Sequence, residues 1–125
     1  MQKYTAPQVV RAAAILTNGY VAGTDIESTQ QYNQAALLIA FTIGSLTDCD
    51  IKIEFSHDDT TYYQESFGTT SGAEDTLSAG HHTIAATGNY YYTFPIKARY
   101  IRVSAIGNGT VTSSSLALSL ILGVS

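Results

Sequence analysis

Charged side chains are scarce in this 125-residue sequence. Asp, Glu, Lys and Arg together make up 13% of the residues, whereas they make up about a quarter of an average soluble protein. The polar surface must therefore come mostly from Ser, Thr, Asn and Gln. Such a surface repels neighbouring molecules weakly, which suits a protein that packs against other subunits. An ordinary β-protein rich in Thr has the same composition, because Thr is favoured on pleated sheets.

Basic runs, paired cysteines and long apolar stretches are also lacking. The net charge is −4, and nucleic-acid binding requires clustered cations that the chain does not offer. The single cysteine, Cys49, excludes an intramolecular disulfide. The longest apolar run, Ala35 to Ile43, is too short to span a bilayer, and the run from Ala12 to Leu16 is too short for an export signal. We therefore expect no nucleic-acid partner, no membrane partner and no Sec-type export.

Alternating apolar residues predict the fold class. Four runs have apolar side chains at every second position: Ala35 to Ile43, Ile51 to Phe55, Tyr100 to Ile106 and Leu116 to Leu122. Weaker strands are expected at four further places: Gly19 to Gly23, Thr61 to Phe67, His82 to Ala86 and Tyr90 to Phe94. Short strands separated by Gly, Asn, Asp and Ser clusters are typical of a sandwich or barrel. The sequence thus predicts one all-β domain over residues 1–125.

The first 18 residues have three interpretations. Pro7 suits the first position of a helix and the alanines between Gln8 and Leu16 favour one, so a short helix is expected there. An N-terminal arm or a strand accounts for the same residues. We expect Met1 to Pro7 to form an arm that becomes ordered on binding a partner.

Turn residues predict two connections. Gly107-Asn108-Gly109 indicates a hairpin between two strands, because Asn and Gly tolerate the positive φ of such turns. The small residues from Gly68 to Gly80 indicate a long mobile loop. The only basic cluster is expected to pair across strands with an acidic group. The residues concerned are Lys97, Arg99 and Arg102 on one side and Asp48, Asp50, Glu54, Asp58 and Asp59 on the other.

Three groups of residues resemble chemical sites, and their spacing argues against each. Ser56, His57 and Asp58 are adjacent, and consecutive strand residues point to opposite faces and form no catalytic relay. A polar turn in which aspartates bond to the backbone is the preferred interpretation. His81 and His82 are neighbours, so at most one per chain binds a metal, as in a site on a three-fold axis. A calcium site would need four aspartates whose spacing matches no known loop: Asp48, Asp50, Asp58 and Asp59. We predict no catalytic, cofactor or metal site.

Two segments resemble a known class of proteins. Residues Ile51 to Tyr63 form an alternating strand that ends in a Ser-x-Asp-Asp turn followed by aromatic residues. Residues Ala98 to Ser104 precede the Gly-Asn-Gly turn and a final strand of Ser and Leu. Together they resemble the small jelly-roll or β-sandwich virion proteins of tailed bacteriophages, such as capsid decoration (cement) proteins. The sequence departs from this pattern at Asp59, where glycine is commoner. The Arg-Tyr-Ile-Arg-Val stretch is also similar to discoidin-like carbohydrate-binding sandwiches.

The resemblance implies a structure and a role. It implies a two-sheet antiparallel, jelly-roll-like β-sandwich that forms a homo-oligomer, often a trimer, on the major capsid protein or another virion protein. The implied role is non-enzymatic capsid decoration that stabilises a tailed-phage head, in a virion assembled in the host cytoplasm. The alternative is a carbohydrate-binding or adhesin module of a phage tail or fibre.

Candidate interface residues follow from exposed apolar and aromatic positions. The run from Ala35 to Ile43 is apolar on both faces, so either another chain or the N-terminal segment covers one of them. Tyr suits interfaces because its large ring has a polar tip, although Tyr91 in the core with its neighbours at the sheet edge explains the same stretch. The candidates are Leu38, Tyr90, Tyr92 and Ile121, and the two tyrosines would also contact a glycan.

Overall fold

The structure is a computed structural model that describes residues 3–28 and 31–124. The described residues form strands and no helix. The strands are β1 (Gln8–Ala14), β2 (Val21–Ala22), β3 (Ile26–Glu27), β4 (Gln34–Thr42), β5 (Leu46–Ser56), β6 (Tyr63–Gln64), β7 (Ser66–Ser71), β8 (Glu74–Ala79), β9 (His82–Ile84), β10 (Gly88–Pro95), β11 (Tyr100–Gly109) and β12 (Ser115–Gly123). The four runs with strict alternation became the four long strands β4, β5, β11 and β12.

Two sheets make up the body of the protein. The first, sheet A, has the order β1-β12-β4-β10, and the second, sheet B, is built around β2-β11-β5-β6, with β3 beside β11 and β9 beside β5. The strand pairs within both sheets are antiparallel. The predicted all-β, two-sheet antiparallel β-sandwich is therefore confirmed.

The core lies between the sheets because alternate residues of the central strands point inwards. Leu116 and Leu120 of β12 and Ile53 of β5 are fully buried, and each such side chain contributes about 1.5–3 kcal/mol by leaving water. Cys49 lies in the same core with no exposed surface. Burial, and secondarily the charge of Asp50, raises the pKa of its thiol to about 11.

The N-terminal segment is a strand, so the strand interpretation is confirmed and the helix is wrong. β1 pairs with β12, and Val10 is buried in the core. Tertiary pairing thus outweighs the helix propensity of the alanines. Residues 3–7 continue this pairing, since Thr5 N–H donates to Leu122 O (2.8 Å) and Val124 N–H donates to Lys3 O (3.0 Å). Residues 3–7 were expected to form an arm that becomes ordered on binding a partner. Instead, they form hydrogen bonds with the C-terminal strand of the same chain. Met1 and Gln2 lie outside the described residues.

The predicted hairpin at Gly107-Asn108-Gly109 is wrong. These residues extend β11 in sheet B, while β12 belongs to sheet A, so the connection passes from one sheet to the other. The Asn108 amide donates to Asp48 (2.6 Å) and Asp50 (2.9 Å) on β5, which prolongs the pairing. Gly107 is required by close packing, because a Cβ atom there would lie 2.9 Å from Leu16 Cβ.

The segment from Gly68 to Gly80 was predicted to be a loop, but most of it forms a pair of strands. Strands β7 and β8 pair with each other as a separate two-stranded sheet, and both strands are exposed along their whole length. The turn between them has Gly72 at a φ of 64°. We call residues 66–79 the ribbon. Its Leu77 side chain is 75% exposed.

Candidate interaction surface

Three of the four strands of sheet A carry no charged residue. Strands β4, β10 and β12 contain no Asp, Glu, Lys or Arg. Alternation along these strands and along β1 turns every second side chain away from the core. We call the resulting surface the apolar face. It consists of Val9, Ala36, Leu38, Ala40, Asn89, Tyr91, Thr93, Ala117, Ser119 and Ile121.

The strand register arranges the apolar face in rows. Val9 pairs with Ser119, Ser119 pairs with Leu38, and Leu38 pairs with Tyr91. Directly opposed residues have Cβ atoms about 5 Å apart, so these four side chains form one row across the whole sheet. The two ends of the row are open to solvent, since Val9 is 62% and Tyr91 65% exposed. Shallow grooves flank Tyr91 on both sides, one bordered by Leu38 and the other by Ile121.

The candidate interface residues fall into two groups. Leu38 and Ile121 lie on the apolar face and are half-buried. Tyr90 and Tyr92 lie opposite Ile39 and Leu37, on the inward side of β10. Tyr91 therefore points outwards, and its placement in the core is wrong. Sequence alternation correctly separated Tyr91 from its neighbours but could not tell which side faced the core.

An apolar groove of about 400 Å³ opens where β10 and β9 diverge at the side of the sandwich. The Tyr92 ring borders it, with its centroid 4.6 Å from that of His82. Tyr90 donates its hydroxyl hydrogen to Ala86 O at 2.7 Å and closes one end. Burial, and then the charge of Glu65, raises the pKa of Tyr92.

Glu65 joins this groove to the base of the ribbon. Its buried carboxylate lies 3.1 Å from His82 Nε2 and 3.8 Å from Lys97 Nζ. Its backbone carbonyl accepts a hydrogen bond from Gly80 N–H at 2.8 Å. These contacts fix both ends of the ribbon to sheet B.

The outer side of sheet B carries the charges that sheet A lacks, and we call it the polar face. Arg102 lies opposite Glu54 and donates to it at 3.1 Å, and this hydrogen bond to Glu54 is the main cause that raises the pKa of Arg102. The Arg102 guanidinium lies 4.0 Å from the Tyr62 ring centroid. The predicted cross-strand pairing is confirmed for Arg102, whereas Arg99 pairs with Glu27 and Lys97 with Glu65, neither of which belongs to the predicted acidic group.

A small acidic cluster lies at one end of the polar face. Tyr62 donates its hydroxyl hydrogen to Asp59. Burial, followed by hydrogen bonding to Asp59, raises the pKa of Asp25. Burial is likewise the largest cause that raises the pKa of Tyr62, followed by its bond to Asp59.

Ser56, His57 and Asp58 form a turn. Asp58 accepts backbone N–H bonds from Thr60 and Thr61, each 2.9 Å long, and a bond from the Ser56 hydroxyl at 3.0 Å. These bonds, that of Thr61 first, lower the pKa of Asp58. The predicted backbone role of Asp58 is confirmed. Asp59 has a φ of 59°, the left-handed conformation that glycine adopts without strain.

The histidines and aspartates do not converge. His81 lies 3.7 Å from Asp50, while His82 is held by Glu65. Asp50 and Asp58 are separated by eight residues along β5 and its following turn, a span of about 25 Å for extended chain, so the four aspartates form no common site. Within residues 3–28 and 31–124, no group of three or more His, Cys, Asp or Glu residues is placed to hold a metal ion.

In the part of the chain that the structure describes, there is no helix long and apolar enough to cross a membrane. No family model matches the sequence, and no curated protein matches it. Among solved structures, the chain is similar to the SPBc2 prophage-derived protein YomS, with a TM-score of 0.58 and 14% sequence identity. The match covers 98% of this chain and 95% of the other. The similarity establishes a shared fold over nearly the whole length of both chains.

Proposed function

We propose that this protein is a non-enzymatic structural protein of a tailed-phage virion, and that it decorates the capsid. The observation that carries the proposal is the apolar face, which is uncharged across β4, β10 and β12 and ends in the exposed ring of Tyr91. An exposed surface that lacks charge and carries apolar and aromatic side chains is typical of a site of contact with another protein.

The prophage origin of YomS supports the phage setting. The low overall charge supports an assembled state, because neighbouring copies repel one another weakly. The two segments that resemble decoration proteins, residues 51–63 and 98–104, lie on β5, β11 and the turns beside them. They form the centre of sheet B, so the resemblance concerns the scaffold that positions the apolar face.

The proposed mechanism is physical. The apolar face packs against the capsid shell, where each Å² of apolar surface removed from water contributes about 25 cal/mol. The polar face, where the half-exposed Arg102 pairs with the buried Glu54, is left facing solvent. A protein that bridges neighbouring shell subunits adds contacts that must break before the shell opens. It thereby opposes the outward pressure of packaged DNA.

The test uses shells of the encoding phage purified without this protein. Added protein should co-sediment with the shells and raise the temperature at which they rupture. Ala40→Glu places a charge at an exposed position of the apolar face and should abolish both effects, because the carboxylate would have to leave water. Thr112→Glu, in the exposed connection before β12, adds the same charge elsewhere and should bind normally. A folded protein that never adheres to the shells, or that adheres equally well with Ala40→Glu, contradicts the proposal.

A glycan-binding module of a tail or fibre is the second candidate. The groove bordered by Tyr90 and Tyr92 favours it, since aromatic rings stack on sugars. Its test is a glycan-binding screen with the unmodified protein and with Tyr90→Ala. Binding that the substitution abolishes, in a protein that ignores capsid shells, would replace the first proposal with this one.

A further inference from the structure

We propose that the outer edge of β10 pairs with the same edge of a second copy of this chain, antiparallel and across a two-fold axis at Tyr91. The inference goes beyond the proposed function, because it holds whether or not the protein binds a capsid. It rests on the backbone of one strand and on the residues that the strand presents.

The edge of β10 is open. In the described part of the chain, sheet A ends at β10, and no strand lies on its far side. All eight residues of β10 pair with β4 in unbroken register, from Gly88 with Phe41 to Pro95 with Gln34. The strand carries no charge. A long, regular and uncharged edge is a template for another strand, and soluble proteins normally block such edges with charges, bulges or proline.

The opposite edge of the same sheet is blocked in this way. The pairing of β1 with β12 is interrupted twice, on either side of Arg11. The Arg11 guanidinium donates to Leu116 O (3.1 Å) and Ile15 O (2.9 Å), so it occupies backbone acceptors near this edge. One edge of sheet A is therefore interrupted along its length, whereas β10 is blocked only at Pro95, its last residue. The centre of β10 is left free to pair with another strand.

The register shows which backbone groups of β10 face outwards. The last pair of β10 with β4 is Pro95 with Gln34. One residue further on, Ile96 N–H donates to Asn33 O at 3.0 Å, so the backbone groups of Ile96 point towards β4. Because backbone groups alternate in direction along an antiparallel strand, Tyr90, Tyr92 and Phe94 also point their groups towards β4. The N–H and C=O groups of three residues then point away from the sheet: Asn89, Tyr91 and Thr93. The next position in this series is Pro95, which has no N–H and so ends the row.

A second copy of β10 fits these groups. With the axis at Tyr91, the two Tyr91 residues oppose each other, each Tyr90 opposes a Tyr92, and each Asn89 opposes a Thr93. The outward groups of residues 89, 91 and 93 then exchange hydrogen bonds in pairs, and the central pairs are aromatic, a favoured cross-strand combination. No like charges meet, although each chain has a net charge of −4. A charged partner strand would find no opposite charge on this edge.

The proposed pairing determines how large the joined sheet is and how tightly the dimer holds together. Two four-stranded sheets become one continuous sheet, and the axis leaves both apolar faces on the same side. A single pair of edge strands buries less area than a standard interface, so the dimer should form and dissociate with concentration. The contact produces a dimer, whereas the resemblance to decoration proteins implies a homo-oligomer that is often a trimer.

Hydrogen–deuterium exchange on the unmodified protein tests the pairing directly, alongside its mass by sedimentation. The amides of Asn89, Tyr91 and Thr93 should exchange fast in dilute protein and become protected as the dimer forms. The amides of Tyr90 and Tyr92 should be protected at every concentration, because they bond to β4. A monomer at all concentrations, a trimer, or a dimer in which residues 89, 91 and 93 stay unprotected would overturn the proposal.

Two substitutions at one position provide a matched pair. Thr93→Pro removes an outward N–H without touching the bonds to β4, and should weaken dimerisation about tenfold or more. Thr93→Val keeps that N–H and the shape of the side chain, so it should dimerise normally. Equal weakening by both contradicts the pairing, and if Thr93→Pro does not fold, the exchange measurement decides. Shell binding is scored separately with Ala40→Glu, so a protein that dimerises as described but ignores shells refutes only the proposed function.

Discussion

Leu38 on β4 and Tyr91 on β10 lie directly opposite each other on the outer side of sheet A. Neither side chain belongs to the core, and Tyr91 is 65% exposed. The strands that carry them have no charged residue. These two residues therefore join two uncharged strands on one outer surface, which the proposed function assigns to contact with another protein.

The core should depend strongly on Leu120. Leu120 is fully buried and lies opposite Leu37, so Leu120→Ala leaves a cavity between the sheets and should lower the free energy of unfolding by about 2–5 kcal/mol. Leu77→Ala is the matched control, because that leucine is 75% exposed on the ribbon and its loss should cost less than about 0.5 kcal/mol. Chemical denaturation of both variants measures the difference. Equal losses would mean that Leu120 is not in a packed core.

The thiol of Cys49 should be unreactive in the folded protein. It has no exposed surface, and burial raises its pKa to about 11, so little thiolate is present at neutral pH. A thiol-specific reagent should label it at a rate set by unfolding, and quickly once denaturant is added. Rapid labelling of the folded protein would show that the centre of β5 is open to solvent.

The turn after β5 should weaken in acid. Three hydrogen bonds to the Asp58 carboxylate, that of Thr61 first, lower its pKa from the usual 3.8. A lowered pKa stabilises the folded state at pH values above 3.8, and the contribution disappears as the pH falls through the folded-state pKa.

Asp58→Asn should therefore destabilise the protein at neutral pH and have a smaller effect in strong acid. Thermal unfolding across this pH range measures the effect, with Glu74→Gln on the exposed ribbon as the control. An Asp58→Asn effect that does not change with pH would show that the charge of Asp58 is not what holds the turn.

The ribbon should be dispensable for folding. Both of its strands are exposed throughout, so its contacts are mainly internal. Replacing residues 68–77 with Asn-Gly joins the opposed residues Phe67 and Ser78 by a two-residue turn suited to a hairpin. The unfolding free energy should change by less than about 1 kcal/mol. A large loss would show that the ribbon packs on the sandwich.

Sequence reasoning succeeded where a single physical pattern decided the outcome. Alternation located β4, β5, β11 and β12 because one side of each strand must be buried. The expectation that the basic cluster pairs across strands with the acidic group is confirmed for one pair, Arg102 with Glu54, since opposite charges at matching positions of two strands attract. The order of the sheets and the side of β10 that faces the core depend on distant strands, and no local pattern reports them.

The two wrong predictions of local structure also arose because contacts with distant strands decided the outcome. Gly107-Asn108-Gly109 has the chemistry of a turn, but Asp48 and Asp50 bind the Asn108 amide and keep the segment in β11. The alanines after Gln8 favour a helix, but the free backbone of β12 pairs with them as β1. In both cases a partner far along the chain overrode the local preference.

The charged residues lie mainly on the sheet B side of the sandwich, so the two sides of the molecule are chemically different and only one of them is suited to apolar contact. Attraction through the apolar face does not rely on ions, so added salt would leave it intact or strengthen it. Molecules attached by that face would all turn the polar face, with Lys52, Arg102 and their neighbours, towards the surrounding water. Every attached molecule would then contribute the same residues to the outer layer of a coated particle.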